Sequence, residues 1–226
     1  MVDIIENIIT PATTYDLLSL AELKVTLGIP STDTTNDVQM QQWITRASDT
    51  VSVKCNRIFA MEELTEYWTG LSSNRIYLSH WPVVASDIED VESPMGSPVT
   101  PWDQINNPNG WKLEERSGKL EIMGADVPAQ PIFVKYKGGF NLPDDTPNTL
   151  PRPSLNALKQ ATELVIWEMR ALSMRMQTSG IRSISHKEAR VMFYDPLAMF
   201  KGGGPGAGSA HSAIDALLMH YVRIQV

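Results

Sequence analysis

Cysteine is nearly absent from this sequence. Cys55 is the only one among 226 residues, which excludes an intrachain disulfide and any thiolate metal site built within one copy. Apolar runs are short. None approaches the roughly 20 residues that span a bilayer, so no membrane partner is expected. The opening Met1-Val2-Asp3-Ile4-Ile5-Glu6 has neither the basic start nor the apolar stretch of a signal peptide, and the chain is expected in the cytosol when made. Internal repeats are lacking too.

Signatures of chemistry are equally scarce. The four histidines, His80, His186, His211 and His220, show neither H-x-x-x-H nor H-E-x-x-H spacing, so no metal site is expected and they read as surface or interface residues. No G-x-S-x-G elbow marks a nucleophilic serine. The run Gly202-Gly203-Gly204-Pro205-Gly206 lacks the Lys-Ser/Thr that closes a phosphate loop, its nearby Lys201 comes before the glycines, and a linker is the better reading. Asp87, Glu89, Asp90 and Glu92 cluster, but without the glycine and terminal glutamate of a calcium loop they read as a solvated strand or turn. The expectation is a protein with no catalytic residues and no cofactor, not an enzyme.

What is present is an ordinary core and an uneven charge. Apolar residues make up 42% of the chain, enough for a core. Residues 1–150 hold 10 Lys and Arg against 21 Asp and Glu, whereas residues 151–226 hold 9 against 5, within a net charge of −7. A predominantly acidic chain does not favour tight duplex binding. A helix-turn-helix is disfavoured as well. The turn from Gly28 to Thr35 is too long, and the second helix would open with Asp37 and offer no cation before Arg46.

The pattern predicts an α+β fold: a helical body of two N-terminal helices and one long helix, an inserted small antiparallel β region, and a C-terminal docking helix. Residues 1–18 read as an arm. Ser19 and Glu22 form a capping box for the first helix, Leu20, Leu23 and Leu27 share a face, and Gly28 stops it. A second helix runs to about Arg57 with Met40, Ile44, Ala47, Val51 and Cys55 as its apolar stripe. Short strands fill 62–137, with Ile76 and Leu78, Trp111 and Leu113, Leu120 and Ile122, and Ile132, Val134 and Tyr136 alternating inward, and a hairpin turn at Arg116-Ser117-Gly118. The stretch Ser93 to Asn109, with four prolines, reads as a long loop. The long helix starts near Pro153 and extends over 153–178, with Leu155, Leu158, Thr162, Val165, Met169, Leu172 and Met176 on one face. It completes a body spanning 19–201. In the mixed segment that follows, Ile181, Ile184, Val191 and Phe193 are anchors. Residues 202–226 are a glycine linker and a short helix from about Ser212 to Tyr221, whose face of Ile214, Leu217, Leu218 and Tyr221 suits a helix-in-groove ligand.

The order of these pieces resembles the gp6-like head-tail connector (adaptor) family of tailed phages. Ser19-Leu20-Ala21-Glu22-Leu23-Lys24 leads to Leu27-Gly28-Ile29. A polar loop precedes the helix bearing Ile44, Ala47-Ser48 and Val51, which ends near Cys55-Asn56-Arg57. Leu78-Ser79-His80-Trp81-Pro82-Val83, with Ile88 and Val91, is similar to the family's strand-Pro-Val-strand passage. Tyr136-Lys137-Gly138-Gly139-Phe140 is similar to its Y-x-x-G-[YF] junction, and Leu217-Leu218 with Tyr221 and Arg223 to its closing helix. The resemblance implies a virion neck protein, assembled in the host cytoplasm. It implies a homo-oligomeric ring of usually twelve copies under the portal, with helices walling a channel through which DNA passes without specific binding. The strand region would face outward or toward a downstream neck or tail protein. It also implies portal binding by the C-terminal segment, for which Ile214, Leu217, Leu218, Tyr221 and Arg223 are the candidate residues. Another neck protein, a tail terminator or a stopper, is the alternative, ahead of a DNA-binding regulator.

Overall fold

Ser19 begins the first regular helix as its capping box requires. In the computed structural model, which describes residues 3–123, 131–144, 155–178, 183–186, 189–192 and 207–222, the Ser19 hydroxyl accepts from the Glu22 amide at 3.2 Å and the Glu22 carboxylate accepts from the Ser19 amide at 3.0 Å. Helix α1 (Leu20–Leu27) ends at Gly28, whose φ of 67° is left-handed, a conformation that a Cβ would strain. Helix α2 (Asp37–Cys55) buries Met40, Ile44, Ala47, Val51 and Cys55, the predicted stripe. Each large side chain so buried contributes about 1.5–3 kcal/mol. The helix stops two residues short of Arg57 because Asn56 turns left-handed and its amide caps Ser52 and Val53.

The chain divides into two compact units. The helical unit comprises 16–56 and 156–226. It holds α1, α2, the long helix α3 (Asn156–Thr178), the hairpin β8 (Ser183–His186) and β9 (Ala189–Met192), and the C-terminal helix α4 (Ala207–Leu218). Lys24 reaches from α1 to the Asp33 carbonyl at 2.8 Å and the Asp37 carboxylate at 2.6 Å, closing the polar loop over the α1–α2 junction. Leu158, Thr162 and Val165 of α3 are buried as the stripe predicts, joined by Ala161 and Ile166. The Thr162 hydroxyl is satisfied by the Leu158 carbonyl at 2.9 Å. In the hairpin Ile184 pairs with Val191. Pro153, Ile181 and Phe193 lie outside the described residues, as do residues 201–206 of the glycine run, and the side chains of Leu172 and Met176.

The β unit comprises 1–15 and 57–155. It contains a four-stranded antiparallel sheet in the order β1 (Asp3–Thr10), β2 (Glu62–Thr69), β7 (Ile132–Gly138), β4 (Ile88–Glu92), and a three-stranded sheet in the order β3 (Arg75–Tyr77), β6 (Lys119–Ile122), β5 (Trp111–Glu114). Leu64, Trp68, Ile76, Leu78, Val91, Trp111, Leu120, Ile122, Ile132, Val134 and Tyr136 from both sheets form one core. The β5–β6 hairpin turns at 115–118, as the sequence indicates.

Two expectations are corrected. Residues 3–10 are not an arm: they form β1, paired with β2 from Asp3↔Thr69 to Thr10↔Glu63. Ile4 packs against the core and Glu6 accepts a hydrogen bond from the Ser79 hydroxyl, so one face of the strand is anchored although most of it is exposed. The C-terminal helix starts at Ala207, inside the stretch read as linker, and ends at Leu218. Ala207 is a strong helix former, and one further glycine at 208 costs only about 1 kcal/mol.

Candidate functional site

The residues proposed for the C-terminal docking face do come together. Ile214, Leu217 and Leu218 lie on α4, and Tyr221 follows in a turn whose amide donates to the Leu218 carbonyl at 2.8 Å. Their surroundings differ from those expected of a free ligand helix. α4 packs against α3 within the helical unit, and Ile214 and Leu218 are buried there. Leu217 and Tyr221 are half-buried, whereas Met219 and Val222 are exposed. Lys54 of α2 reaches Asp215 at 3.0 Å, an exposed pair that contributes little by itself. Half of the apolar face is thus used in holding the helix to its own chain, because the 3.6-residue period that suits a groove on a partner suits α3 equally well. Arg223 lies outside the described residues.

A second constellation, in the β unit, was not read from the sequence. The inward face of β2 alternates Glu62, Leu64, Glu66 and Trp68, all buried. Glu66 accepts from the Ser79 amide at 2.8 Å, from the Trp68 indole at 2.8 Å and from the Tyr136 hydroxyl. The Tyr136 oxygen in turn accepts from the His80 amide at 3.1 Å. Burial pushes the Glu66 carboxyl above its ordinary range, the nearby Glu6 charge adds to that, and the three donors do not reverse it. Burial and the facing Glu66 push the Tyr136 phenol well up. Glu62 faces His80 Nε2 at 3.1 Å and accepts from the Tyr15 hydroxyl at 2.6 Å and, at 3.4 Å, from the Ala12 amide. Burial acts to raise Glu62, but these hydrogen bonds and the imidazole outweigh it and hold the carboxyl below its ordinary value. Its bond to Glu62 drives the Tyr15 phenol up to about 12.

These groups act as fasteners. Tyr15 and Ala12 tie the segment after β1 to β2, Glu66 and Tyr136 tie β2 and β7 to the passage 78–83, and Gly138 lies so close that an added Cβ would collide with the His80 carbonyl. The guanidinium of Arg57 stacks 3.5 Å from the Trp81 ring and 4.8 Å from that of Phe59, and donates to the Trp81 carbonyl. The motif Leu78–Val83 and the Tyr136–Phe140 junction, read separately in the sequence, are thereby joined in space. His80 is a buried member of this network, not a surface histidine. The one signal for it was the even spacing of Glu62 and Glu66, which places both carboxylates on a single strand face with Leu64.

The remaining surface features are structural. In the acidic cluster, Glu89 meets Lys135 at 2.6 Å and Lys135 also meets Glu63 at 3.3 Å, which makes it a charged outer strand face. The long loop is ordered by Asp103, whose carboxylate accepts from the Ile105 and Asn106 amides, and by Asn107, whose amide donates to Thr100 and Pro101 carbonyls.

No protein-family model and no curated protein matches the chain. Among solved structures, a chain of the virion of a native gene transfer agent (GTA) particle shares the fold end to end, with a TM-score of 0.50 over 98% of this chain and 96% of that one at 15% identity. A chain from the neck of an empty GTA particle, computed with C6 symmetry, gives a TM-score of 0.49 at 14% identity, over 98% and 97% of the two chains.

Proposed function

We propose that this chain is a structural, non-catalytic subunit of a virion neck, and within the neck the head-to-tail connector (adaptor): one segment of a ring, of about twelve copies, that extends the DNA channel below the portal and joins capsid to tail. The observation that carries the reading is the end-to-end fold likeness to a virion chain, without large unmatched segments in either partner. The order of motifs that resembles gp6-like connectors supports it from the sequence side. So does the construction of the chain, in which buried polar groups are spent on fastening strands.

Portal contact in this reading falls to the C-terminal segment. Ile214 and Leu218 seat α4 on its own chain, and Leu217 and Tyr221, beside exposed Met219 and Val222, remain at the surface rim. The partner surface would be apolar, with Arg223 adding a charge beyond it. Downstream, a neck or tail protein would meet the β unit. Mixing the purified chain with isolated portal rings and weighing the product by native mass spectrometry tests the proposal. A discrete complex carrying a full ring of this chain is expected, and portal rings that emerge unaltered in mass would overturn it.

A further inference from the structure

We propose that the outer edge of β1 is a self-complementary docking strand, through which two copies of this chain pair antiparallel about Asn7 to make one continuous eight-stranded sheet. The inference concerns the free subunit and does not rest on the connector reading.

Among the described residues β1 has β2 as its single strand neighbour, which makes it an edge strand of the sheet. Edge strands are normally guarded by lysine, proline, bulges or inward charge, and in β1 the inward charge is a single one, Glu6, held by the Ser79 hydroxyl. Residues 3–10, Asp-Ile-Ile-Glu-Asn-Ile-Ile-Thr, contain no lysine, arginine or proline. They expose isoleucines instead: Ile5 at 64%, Ile8 at 45% and Ile9 at 45%. The one irregularity is a bulge between Ile8 and Thr10.

The occupant follows from charge and symmetry. The sheet's other edge, β4, carries Glu89, Asp90 and Glu92, so adding β1 of one copy to β4 of another would set Asp3 and Glu6 beside like charges, which destabilises a strand pair. β1 against β1 avoids this. Two antiparallel strands in one sheet are related by a two-fold axis perpendicular to it, and both copies then keep their core faces on the same side. Centred on Glu6, that axis would bring two carboxylates together. Centred on Asn7, it sets amide against amide, Ile5 against the second copy's Ile9, and Glu6 against the second copy's Ile8. No like charges stand directly opposite, and the exposed isoleucines cover one another. A two-fold pair closes at two copies, so it belongs to the subunit before it enters any ring.

The test is sedimentation of the full chain across the micromolar range. Wild type should be a monomer–dimer equilibrium. Ile5→Lys with Ile9→Lys should lose the dimer, halving the limiting mass with an unchanged thermal melt, since both side chains are exposed. Asn7→Cys should form a disulfide-linked dimer on mild oxidation, whereas Thr65→Cys, on the neighbouring strand, should not; Cys55 is buried and should not interfere. A wild type that stays monomeric throughout, a dimer that survives the double lysine variant, or cross-linking at position 65 in preference to 7 would each overturn the proposal.

Discussion

Glu62 and Glu66 lie on one face of β2, yet their surroundings drive their protonation in opposite directions. Glu62 has a folded pKa held below its unfolded value. Its contribution to stability is present above the ordinary glutamate value, near 4.5, and is lost as pH falls through the folded value. Glu66 has a folded pKa raised by burial, so its contribution is full below the ordinary value and is lost as pH rises through the raised one. Glu62→Gln should therefore flatten the acid limb of a stability–pH profile recorded by urea unfolding, and an unchanged acid limb would show that Glu62 is not the group that titrates. Tyr136→Phe removes a donor from Glu66 and the acceptor of the His80 amide. Leaving buried polar groups unsatisfied costs about 1–3 kcal/mol each, and a melting temperature within error of wild type would contradict the network described here.

The elements show what the sequence could and could not reveal. α1 was legible because its stop and start are local chemistry, and Ser19→Ala should cost about 1 kcal/mol in thermal unfolding; no loss would mean the capping box is idle. α2 was legible because its five stripe residues fall at spacings of three and four. β2 fell inside the stretch 62–137 read as short strands but gave no run of its own, because two of its four buried positions are glutamates, and a polarity pattern reads buried carboxylates as solvent-facing. β1 was missed for the converse reason: its isoleucines come in adjacent pairs, 4–5 and 8–9, whose spacings of three and four hide the alternation of a strand. Of the candidate site, the face on α4 was legible as a period, but a period does not name the surface that covers it, and α3 covers half. Leu217→Asp, at the half-buried rim, should abolish co-sedimentation with portal rings while circular dichroism stays unchanged. Retained binding would place the portal contact elsewhere.

Across the whole molecule, charge follows the division into units. The β unit carries 16 Asp and Glu against 8 Lys and Arg, and the helical unit 10 against 11. The acid noted over residues 1–150 is thus chiefly a property of the β unit, and the helical unit, whose helices wall the channel in the connector reading, is nearly neutral. Such a surface releases few counterions from DNA. Titration of labelled duplex by fluorescence anisotropy at physiological salt should show no binding, and micromolar, salt-dependent binding would contradict a passive channel. The most direct measurement is cryo-electron microscopy of the chain assembled with its portal. The account predicts a closed ring coaxial with the portal, DNA passing through its centre, and the C-terminal segments against the portal surface. Density for this chain away from the portal axis, or on the axis only at the far end of the tail, would contradict it.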